Sequence, residues 1–348
     1  MEKESGNKIA NGWWLATALG IGAVAAYAAI KKSRPVFDFQ NKVVLITGGS
    51  RGLGLVLARG LAEKGARIAI VARNAEELER AAADLKQRGA EVFQTVCDVR
   101  NQSEVNRAVE AVCNHYGQID VLINNAGVIQ VGALENQTQA DFEDAMAVHF
   151  WGAFYMMQAV LPEMRMRGAG RIVNISSIGG KMAVPHLAPY CASKFALVGL
   201  SNAMRVELAK DDIYVTTVCP GLMRTGSHVN AVFKGQHKKE FAWFSIGNAL
   251  PVSSIGAERA AAQIIEAAER GDAELIISVQ AKLAAKANAL LPELTAEISG
   301  LVNQILPEAG GIGENHALGA DSASFISPSV LTALADKEIY RNNELKTL

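Results

Sequence analysis

Three residues near the middle of the chain have the types and the spacing that proton transfer requires: Ser177, Tyr190 and Lys194. Tyr190 and Lys194 are four residues apart, so on a helix they share one face and the ammonium group can favour the phenolate. An isolated tyrosine titrates near ~10, and acid/base catalysis at neutral pH therefore needs such a neighbour. The trio indicates a catalytic tyrosine, although Tyr and Lys at this spacing also occur on ordinary amphipathic helices.

The elements that would position this trio alternate between short apolar runs and longer helical patterns. Such alternation is typical of a parallel sheet with helices on both faces. The predicted strands are 42–47, 66–72, 91–97, 121–124, 170–175, 213–219 and 273–279, and the predicted helices are 53–64, 75–88, 103–116, 139–167 and 190–209. We therefore predict an α/β fold, a doubly wound parallel sheet of the Rossmann type, over residues 38–281.

Two segments after the sixth predicted strand follow other patterns. Residues 221–251 lose the periodicity and gather aromatic side chains, which favours a mobile flap over a substrate pocket or, alternatively, an ordinary pair of surface helices. Residues 282–348 form an extension, helical over 282–305 and then rich in Gly and Ser. Because that tail has little apolar surface to bury, we expect it to be flexible.

The N-terminal segment, residues 9–30, carries no charged side chain. As a helix it would be roughly 33 Å long, which is enough to cross a bilayer. Trp13 and Trp14 suit one membrane interface, and the basic residues at 31–34 suit the cytoplasmic one. We therefore predict that residues 1–37 are a transmembrane segment and linker, with the catalytic domain facing the cytoplasm; a cleaved targeting peptide and an interfacial or packed helix are the alternatives.

Composition excludes several classes of function. The chain has 348 residues, 50% of them hydrophobic, and a formal net charge of -1, so it can bury a full core and lacks the basic surface of a nucleic-acid-binding protein. Its four cysteines form neither a Cys-x-x-Cys pair nor a Cys/His cluster. We predict reduced core thiols, no metal site and no nucleic-acid partner.

A glycine-rich turn, Thr47-Gly-Gly-Ser-Arg-Gly-Leu-Gly54, separates the first predicted strand from the first predicted helix. Glycines at this place let the backbone approach a pyrophosphate at the N-terminus of the helix. The spacing is Thr-Gly-x-x-x-Gly-x-Gly, which differs from the Gly-x-Gly-x-x-Gly of many dinucleotide folds.

This spacing resembles that of the short-chain dehydrogenase/reductase superfamily, in its compact single-domain branch. Three further motifs fall in the order the resemblance requires: Asn124-Asn-Ala-Gly127 after the fourth strand, Ser177 thirteen residues before Tyr190, and Pro220-Gly221 after the sixth strand. The resemblance covers residues 40–280 approximately. It implies an NAD(P)-dependent oxidoreductase that interconverts alcohols and carbonyl compounds.

The residue type at the end of the second strand decides between NAD and NADP, since a carboxylate there binds the 2′-hydroxyl and arginine pairs with a 2′-phosphate. Arg73 stands at that place and Arg51 lies in the glycine turn, which favours NADP(H) over NAD(H). Asp98, after the third strand, resembles the family residue that contacts the adenine; a helix-capping role is the alternative. The cofactor site implied by the resemblance comprises Gly48, Ser50, Arg51, Gly52, Leu53, Gly54, Arg73, Asp98, Val99, Asn125, Ala126, Gly127, Tyr190, Lys194, Pro220, Gly221 and Thr225.

By the same resemblance, Tyr190 exchanges a proton with the substrate oxygen and Ser177 hydrogen bonds to that oxygen, with Ser176 as the alternative serine. Lys194 would bind the nicotinamide ribose and lower the pKa of the tyrosine. The family usually has an asparagine on the helix after the fourth strand, where this chain has His149. An imidazole can donate and accept, so His149 either serves the proton relay or is a packed helix residue.

We therefore predict a membrane-anchored, NADP(H)-dependent oxidoreductase that acts on a lipophilic carbonyl or secondary alcohol, such as a steroid, a retinoid or an acyl-chain ketone. The alternatives are a catalytically inactive cofactor-sensing or scaffold protein of the same fold, and a sugar-nucleotide epimerase or dehydratase, which the glycine spacing fits less well. Relatives of this type commonly pair through long helices, which predicts a homodimer or homotetramer.

Overall fold

The alternating apolar runs form a parallel sheet in the computed structural model, which describes residues 36–250, 253–324, 327 and 332–345. The strands of this sheet, in chain order, are β1 (Val43–Thr47), β2 (Arg67–Ala72), β3 (Val92–Val96), β4 (Val121–Asn124), β5 (Gly170–Ile175), β6 (Ile213–Pro220) and β7 (Glu274–Ile277). The helices are α1 (Gly52–Glu63), α2 (Ala75–Gln87), α3 (Gln102–Tyr116), α4 (Gln139–Met146), α5 (Gly152–Arg167), α6 (Ala188–Leu208), α7 (His237–Ala249), α8 (Ala257–Arg270), α9 (Val279–Leu290), α10 (Pro292–Asn303) and α11 (Ala333–Arg341).

The strand order across the sheet is β7-β6-β5-β4-β1-β2-β3, and the pairs are parallel. The order reverses between β1 and β4, which pair with Val44 opposite Val121. Ligands of such sheets bind beyond the carboxyl ends of the strands at this reversal. The sheet therefore brings the glycine turn after β1 beside the Asn124-to-Gly127 segment after β4, and the predicted doubly wound fold is confirmed.

The core explains why these strands read as continuous apolar runs. All five residues of β1 are buried, because helices cover both faces of the sheet. On one face Leu45, Leu122, Ile172 and Val215 from four neighbouring strands join a single apolar cluster with α3 and α5. Each such side chain contributes about 1.5–3 kcal/mol when fully buried, so the sheet is a rigid support for the loops at its carboxyl edge.

The predicted helix 139–167 is continuous but not uniform. Its middle, Ala147–Trp151, is a π-helical turn between α4 and α5. A π turn inserts one residue into the helical repeat and re-aims the side chains on it, and such turns are frequent at functional sites. Here the turn carries His149, which is 1% exposed.

The C-terminal extension contains α9 and α10, and the tail after them contacts the main domain. Within the described residues, Ala317–Leu318 pairs with Val232–Phe233, which in turn pairs with Gln130–Val131. The segment after α11 is buried against the main domain, with Asn342 at 0% and Glu344 at 4% exposure. Hydrogen bonds by polar side chains, rather than apolar burial, hold this segment, and composition does not reveal them.

The predicted membrane-anchored location, with the catalytic domain facing the cytoplasm, is corrected. Among the residues that the structure describes, no helix is both long enough and apolar enough to cross a bilayer. The longest, α6 with 21 residues, carries Lys194, Arg205 and Glu207. Residues 9–30, on which the transmembrane prediction was based, lie outside the described residues.

The homodimer or homotetramer stays a prediction. Large apolar side chains stand exposed on and beside the two long helices α5 and α6: Trp151, Met166, Phe195 and Val206. A pairing surface on these helices would cover them.

Candidate functional site

The glycine turn after β1 requires glycine at three positions for separate reasons. Gly48 and Gly52 have φ values of +62° and +55°, a backbone region that L side chains rarely adopt. A Cβ on Gly54 would lie 2.1 Å from the carbonyl oxygen of Gly48. The turn therefore folds back tightly and brings the N-terminus of α1 against the end of β1.

The segment after β4 is tied to this turn by two side chains. The Thr47 hydroxyl accepts hydrogen bonds from the backbone N–H groups of Asn125 and Ala126, at 2.9 and 3.0 Å. The Asn125 amide donates to the carbonyl oxygens of Thr47 and Gly48, at 3.0 and 3.1 Å. Asn125 therefore stabilises the conformation of the glycine turn. Its predicted role in lining the cofactor site is separate from this one.

The arrangement fits the phosphates of a dinucleotide. The first N–H groups of α1 have no partner within the helix, and its first turn carries no acidic residue of its own, so the positive end of the helix faces the turn. Leu53 is buried beneath the turn. Val99, Ala126 and His149 line a small cavity behind it.

The arginine of the turn is already engaged in the protein. Arg51 Nη1 lies 2.9 Å from Glu77 Oε1, and Arg51 Nε lies 3.4 Å from Glu344 Oε2. The Ser50 hydroxyl donates to the same Glu77 carboxylate at 3.1 Å. Sequence reasoning missed both carboxylates, since Glu77 is one of several acids on α2 and Glu344 is nearly 300 residues away along the chain.

Asp98 follows β3 and faces two arginines. Arg100 donates to its carboxylate, with Nη2 2.6 Å from Oδ2. Burial works against ionisation, but the hydrogen bonds and charge of Arg100, with the charge of Arg73, hold the pKa of Asp98 below its usual value. The helix-capping alternative is wrong, because Asn101 caps α3. Arg73 itself is exposed.

The residues at the end of β6 approach the site from the other side. Gly221 donates its N–H to the Ile277 carbonyl at 3.2 Å, and a Cβ on it would lie 3.1 Å from Ser278 Oγ. Pro220 ends the strand. Thr225 is buried, and its hydroxyl donates to Ser227 at 2.8 Å. These residues stand at the same carboxyl edge as the glycine turn.

The structure brings Ser177 and Tyr190 together. The two side chains share a hydrogen bond, and the Ser177 oxygen also accepts from the Gly179 N–H at 3.1 Å. The Ser176 hydroxyl instead donates to the carbonyl of Lys194 at 3.0 Å. The geometry therefore selects Ser177 of the two candidate serines.

The pKa values of Tyr190 and Lys194 differ from the sequence-based expectation that the lysine lowers the pKa of the tyrosine. Desolvation raises the pKa of Tyr190 to about 12, although the hydrogen bond with Ser177 works in the opposite direction. Burial lowers the pKa of Lys194 to about 7. Lys194 Nζ lies 5.7 Å from the centre of the tyrosine ring and donates to the Ile175 carbonyl at 2.9 Å. In the protein alone Tyr190 is therefore protonated at neutral pH.

His149 bridges two parts of the site. Its Nε2 accepts from the Val128 N–H at 3.1 Å, and its Nδ1 lies 2.7 Å from Ser193 Oγ, which donates to the Tyr190 carbonyl at 2.8 Å. This network assigns the proton to Nδ1. Burial and the charge of Lys194 hold the pKa of His149 well below its usual value. The neutral ring thus connects the loop after β4 to the N-terminal part of α6.

We expect His149→Ala to lower turnover about tenfold while NADPH binding changes little. The variant leaves the half-buried Val128 N–H without its acceptor and removes the ring nitrogen that contacts the Ser193 hydroxyl, which costs about 1–3 kcal/mol of stability for each lost bond. Steady-state kinetics across pH, with thermal denaturation, measures both effects. If His149 positions other groups, the pH profile of turnover in the variant should be unchanged. A shift of that profile along the pH axis would indicate a proton relay. Unchanged turnover would indicate a purely structural residue.

An apolar wall lies next to Tyr190. Its buried members are Val131, Leu187, Cys191, Ala231, Phe233, Phe241 and Phe244. Tyr190 and Trp243 pack against this aromatic cluster. The predicted flap is therefore a packed layer over the tyrosine, built from α7 and the strand Val232–Phe233.

A buried polar contact fixes this layer. His186 Nδ1 lies 2.7 Å from Glu240 Oε1, and Trp243 Nε1 donates to Glu240 Oε2 at 2.6 Å. His186 precedes Tyr190 by four residues and has a φ of +63°. The contact ties α7 to the loop that leads into the Tyr190 helix.

Comparison with known proteins agrees with this geometry. A sequence profile of the short chain dehydrogenase family matches residues 42–234. The chain is 39% identical over 192 residues to D-threitol dehydrogenase of Mycolicibacterium smegmatis, covering 54% of this chain and 74% of that protein. It is 38% identical over 191 residues to ketoacyl reductase HetN of Nostoc sp., covering 55% of this chain and 67% of that protein.

A solved structure gives the same result. The crystal structure of a variant of actinorhodin polyketide ketoreductase with NADPH superposes with a TM-score of 0.60 at 33% identity, covering 68% of this chain and 95% of that one. The fold and the site define an NAD(P)-dependent oxidoreductase with a Rossmann-type sheet. The chain belongs to the short-chain dehydrogenase/reductase superfamily.

Proposed function

We propose that this protein is an NADP(H)-dependent reductase that interconverts a lipophilic ketone or aldehyde and the corresponding alcohol, with Tyr190 as the acid/base. The observation that carries the proposal is the position of the Tyr190–Ser177 pair against the aromatic cluster. An apolar wall beside a hydrogen-bonding pair favours a substrate with one polar oxygen on an otherwise apolar body.

The charge pattern of this wall supports the same class of substrate. His186 and Glu240, whose side chains are 5% and 1% exposed, hydrogen bond to each other within it. A polyhydroxylated substrate would leave hydroxyl groups against phenylalanine rings, at a cost for each group without a partner. A pocket beside Trp243 is lined by apolar side chains and by polar ones at its edge: Ile305, Leu306 and Pro307, with Gln236, Lys239 and Glu308.

The side chains can divide the chemistry of reduction among them. When bound, the nicotinamide supplies the hydride. Tyr190 holds a proton at neutral pH, since its pKa is about 12, and can donate that proton to the substrate oxygen. Ser177 hydrogen bonds at the same point, and the nearby Lys194 ammonium stabilises the phenolate that remains. His149 supports the backbone on both sides of this group.

A panel of carbonyl compounds tests the proposal. We expect purified protein to oxidise NADPH with apolar ketones, such as a steroid ketone or a long-chain acyl ketone, at least about tenfold more efficiently in kcat/KM than with a polar ketose. That ratio corresponds to about 1.4 kcal/mol of transition-state binding, which the burial of two methylene groups can supply. A preference for the ketose would contradict the lipophilic substrate class while leaving the oxidoreductase intact.

A further inference from the structure

The C-terminal segment contacts the glycine turn through three consecutive residues. The Asn342 carbonyl accepts the Gly52 N–H at 2.9 Å, and the Asn343 amide donates to the Ser50 carbonyl at 2.8 Å. A Cβ on Gly52 would lie 2.5 Å from Glu344 Oε1. The carboxylate therefore lies on the face of the turn that the glycine leaves open.

Polar side chains of the main domain hold this segment in place. Arg59 of α1 donates to Asn342 Oδ1 at 3.2 Å, and Arg80 of α2 donates to Asn343 Oδ1 at 2.7 Å. The Asn230 amide donates to Glu344 Oε2 at 2.7 Å. Each of the three tail residues thus has its own hydrogen-bond partner in the main domain. This indicates a specific docked conformation of the segment.

More carboxylates than cations meet where the tail contacts the glycine turn. Glu344 and Glu77 both pair with Arg51, so two carboxylates share one guanidinium. The Glu344 side chain is 1% exposed. Burial raises the pKa of Glu344 to about 7, while Arg51 and Asn230 act in the opposite direction. Above pH 7 the carboxylate is therefore mostly ionised and adds negative charge to the rim of the cofactor site.

We propose that Glu344 is a specificity-determining residue of the cofactor site, which weakens the binding of a 2′-phosphate by competing with it for Arg51. The inference rests on the proposed use of NADP(H). A 2′-phosphate carries up to two negative charges and needs the guanidinium that Glu344 occupies. A 2′-hydroxyl is neutral and can donate a hydrogen bond to a carboxylate, so NAD(H) escapes the competition. The family profile ends at residue 234, and this determinant lies beyond it.

The test is the binding of NADPH and NADH to Glu344→Gln at pH 8, followed by nicotinamide fluorescence. The amide keeps the shape of the side chain and an oxygen acceptor for Asn230 but removes the charge. We expect the variant to bind NADPH about tenfold more tightly, equal to about 1.4 kcal/mol, and to bind NADH within about twofold of the wild type. Glu293→Gln, the same change at an exposed position on α10, should alter neither affinity.

A double-mutant cycle separates competition from a general loosening of the tail. With Arg51→Gln in the background, Glu344→Gln should no longer change NADPH affinity, because the shared cation is gone. If Glu344→Gln changed the affinities for NADPH and NADH equally, or left the NADPH affinity unchanged, this inference would be overturned and the proposed function would stand. Failure of the wild-type protein to bind either dinucleotide would overturn the proposed function and this inference with it.

Discussion

Tyr190→Phe should lower kcat for carbonyl reduction by about 10²–10⁴-fold, the range that a positioned general acid contributes. The change removes only the hydroxyl that would donate the proton. The phenyl ring still packs against the aromatic cluster, so the fold should survive. Loss of NADPH absorbance with the best ketone of the panel measures the effect.

The matched measurement for this variant is cofactor affinity. Because the phenolic oxygen shares its hydrogen bond with Ser177 and not with the glycine turn, NADPH should bind Tyr190→Phe within about twofold of the wild type. Residual turnover near the wild-type level, at equal cofactor occupancy, would show that another group supplies the proton.

Gly54→Ala should weaken NADPH binding by at least about 100-fold, or 2.7 kcal/mol. The added methyl group would lie 2.1 Å from the Gly48 carbonyl oxygen and 2.6 Å from the Asn125 amide nitrogen. Neither atom can move away easily, because the Gly48 oxygen belongs to the backbone and the Asn125 amide is hydrogen bonded to the turn. The turn must open, at a further cost of about 1–3 kcal/mol in stability.

Gly199→Ala is the control for this variant. Gly199 lies on α6, and a Cβ there would meet no atom within 4 Å. The same methyl group should therefore raise the free energy of unfolding by about 0.5–1 kcal/mol, through helix propensity and a smaller unfolded-state entropy. Denaturant unfolding with NADPH titration compares the two. Normal NADPH affinity in Gly54→Ala would contradict the assignment of the turn to the cofactor.

The sheet and the glycine turn could be predicted from sequence because both depend on local rules. An apolar run bounded by turns becomes a buried strand, and glycine adopts the backbone of Gly48 and Gly52 without the steric cost that an L side chain meets there. Ser177 and Tyr190 also meet, since the strand end and the helix start fix both of them.

The electrostatics of the site could not be predicted in the same way. Spacing places Lys194 one turn from Tyr190, but the pKa of each group depends on how much water the fold removes, and here desolvation dominates both. Arg51 belongs to the glycine turn by its sequence position, but its partner Glu344 comes from a tail whose composition suggests flexibility. Contacts between such distant polar residues leave no periodic pattern in the chain.

The most direct test of the account is the transfer of deuterium from NADPH labelled at the reactive carbon of its nicotinamide. The account predicts that wild-type protein produces an alcohol with one deuterium on the carbinol carbon, and that Tyr190→Phe, with NADPH equally bound, produces almost none. An unlabelled substrate recovered from wild-type protein saturated with the labelled cofactor, across the whole panel, would contradict it and favour a protein that binds the dinucleotide without using it.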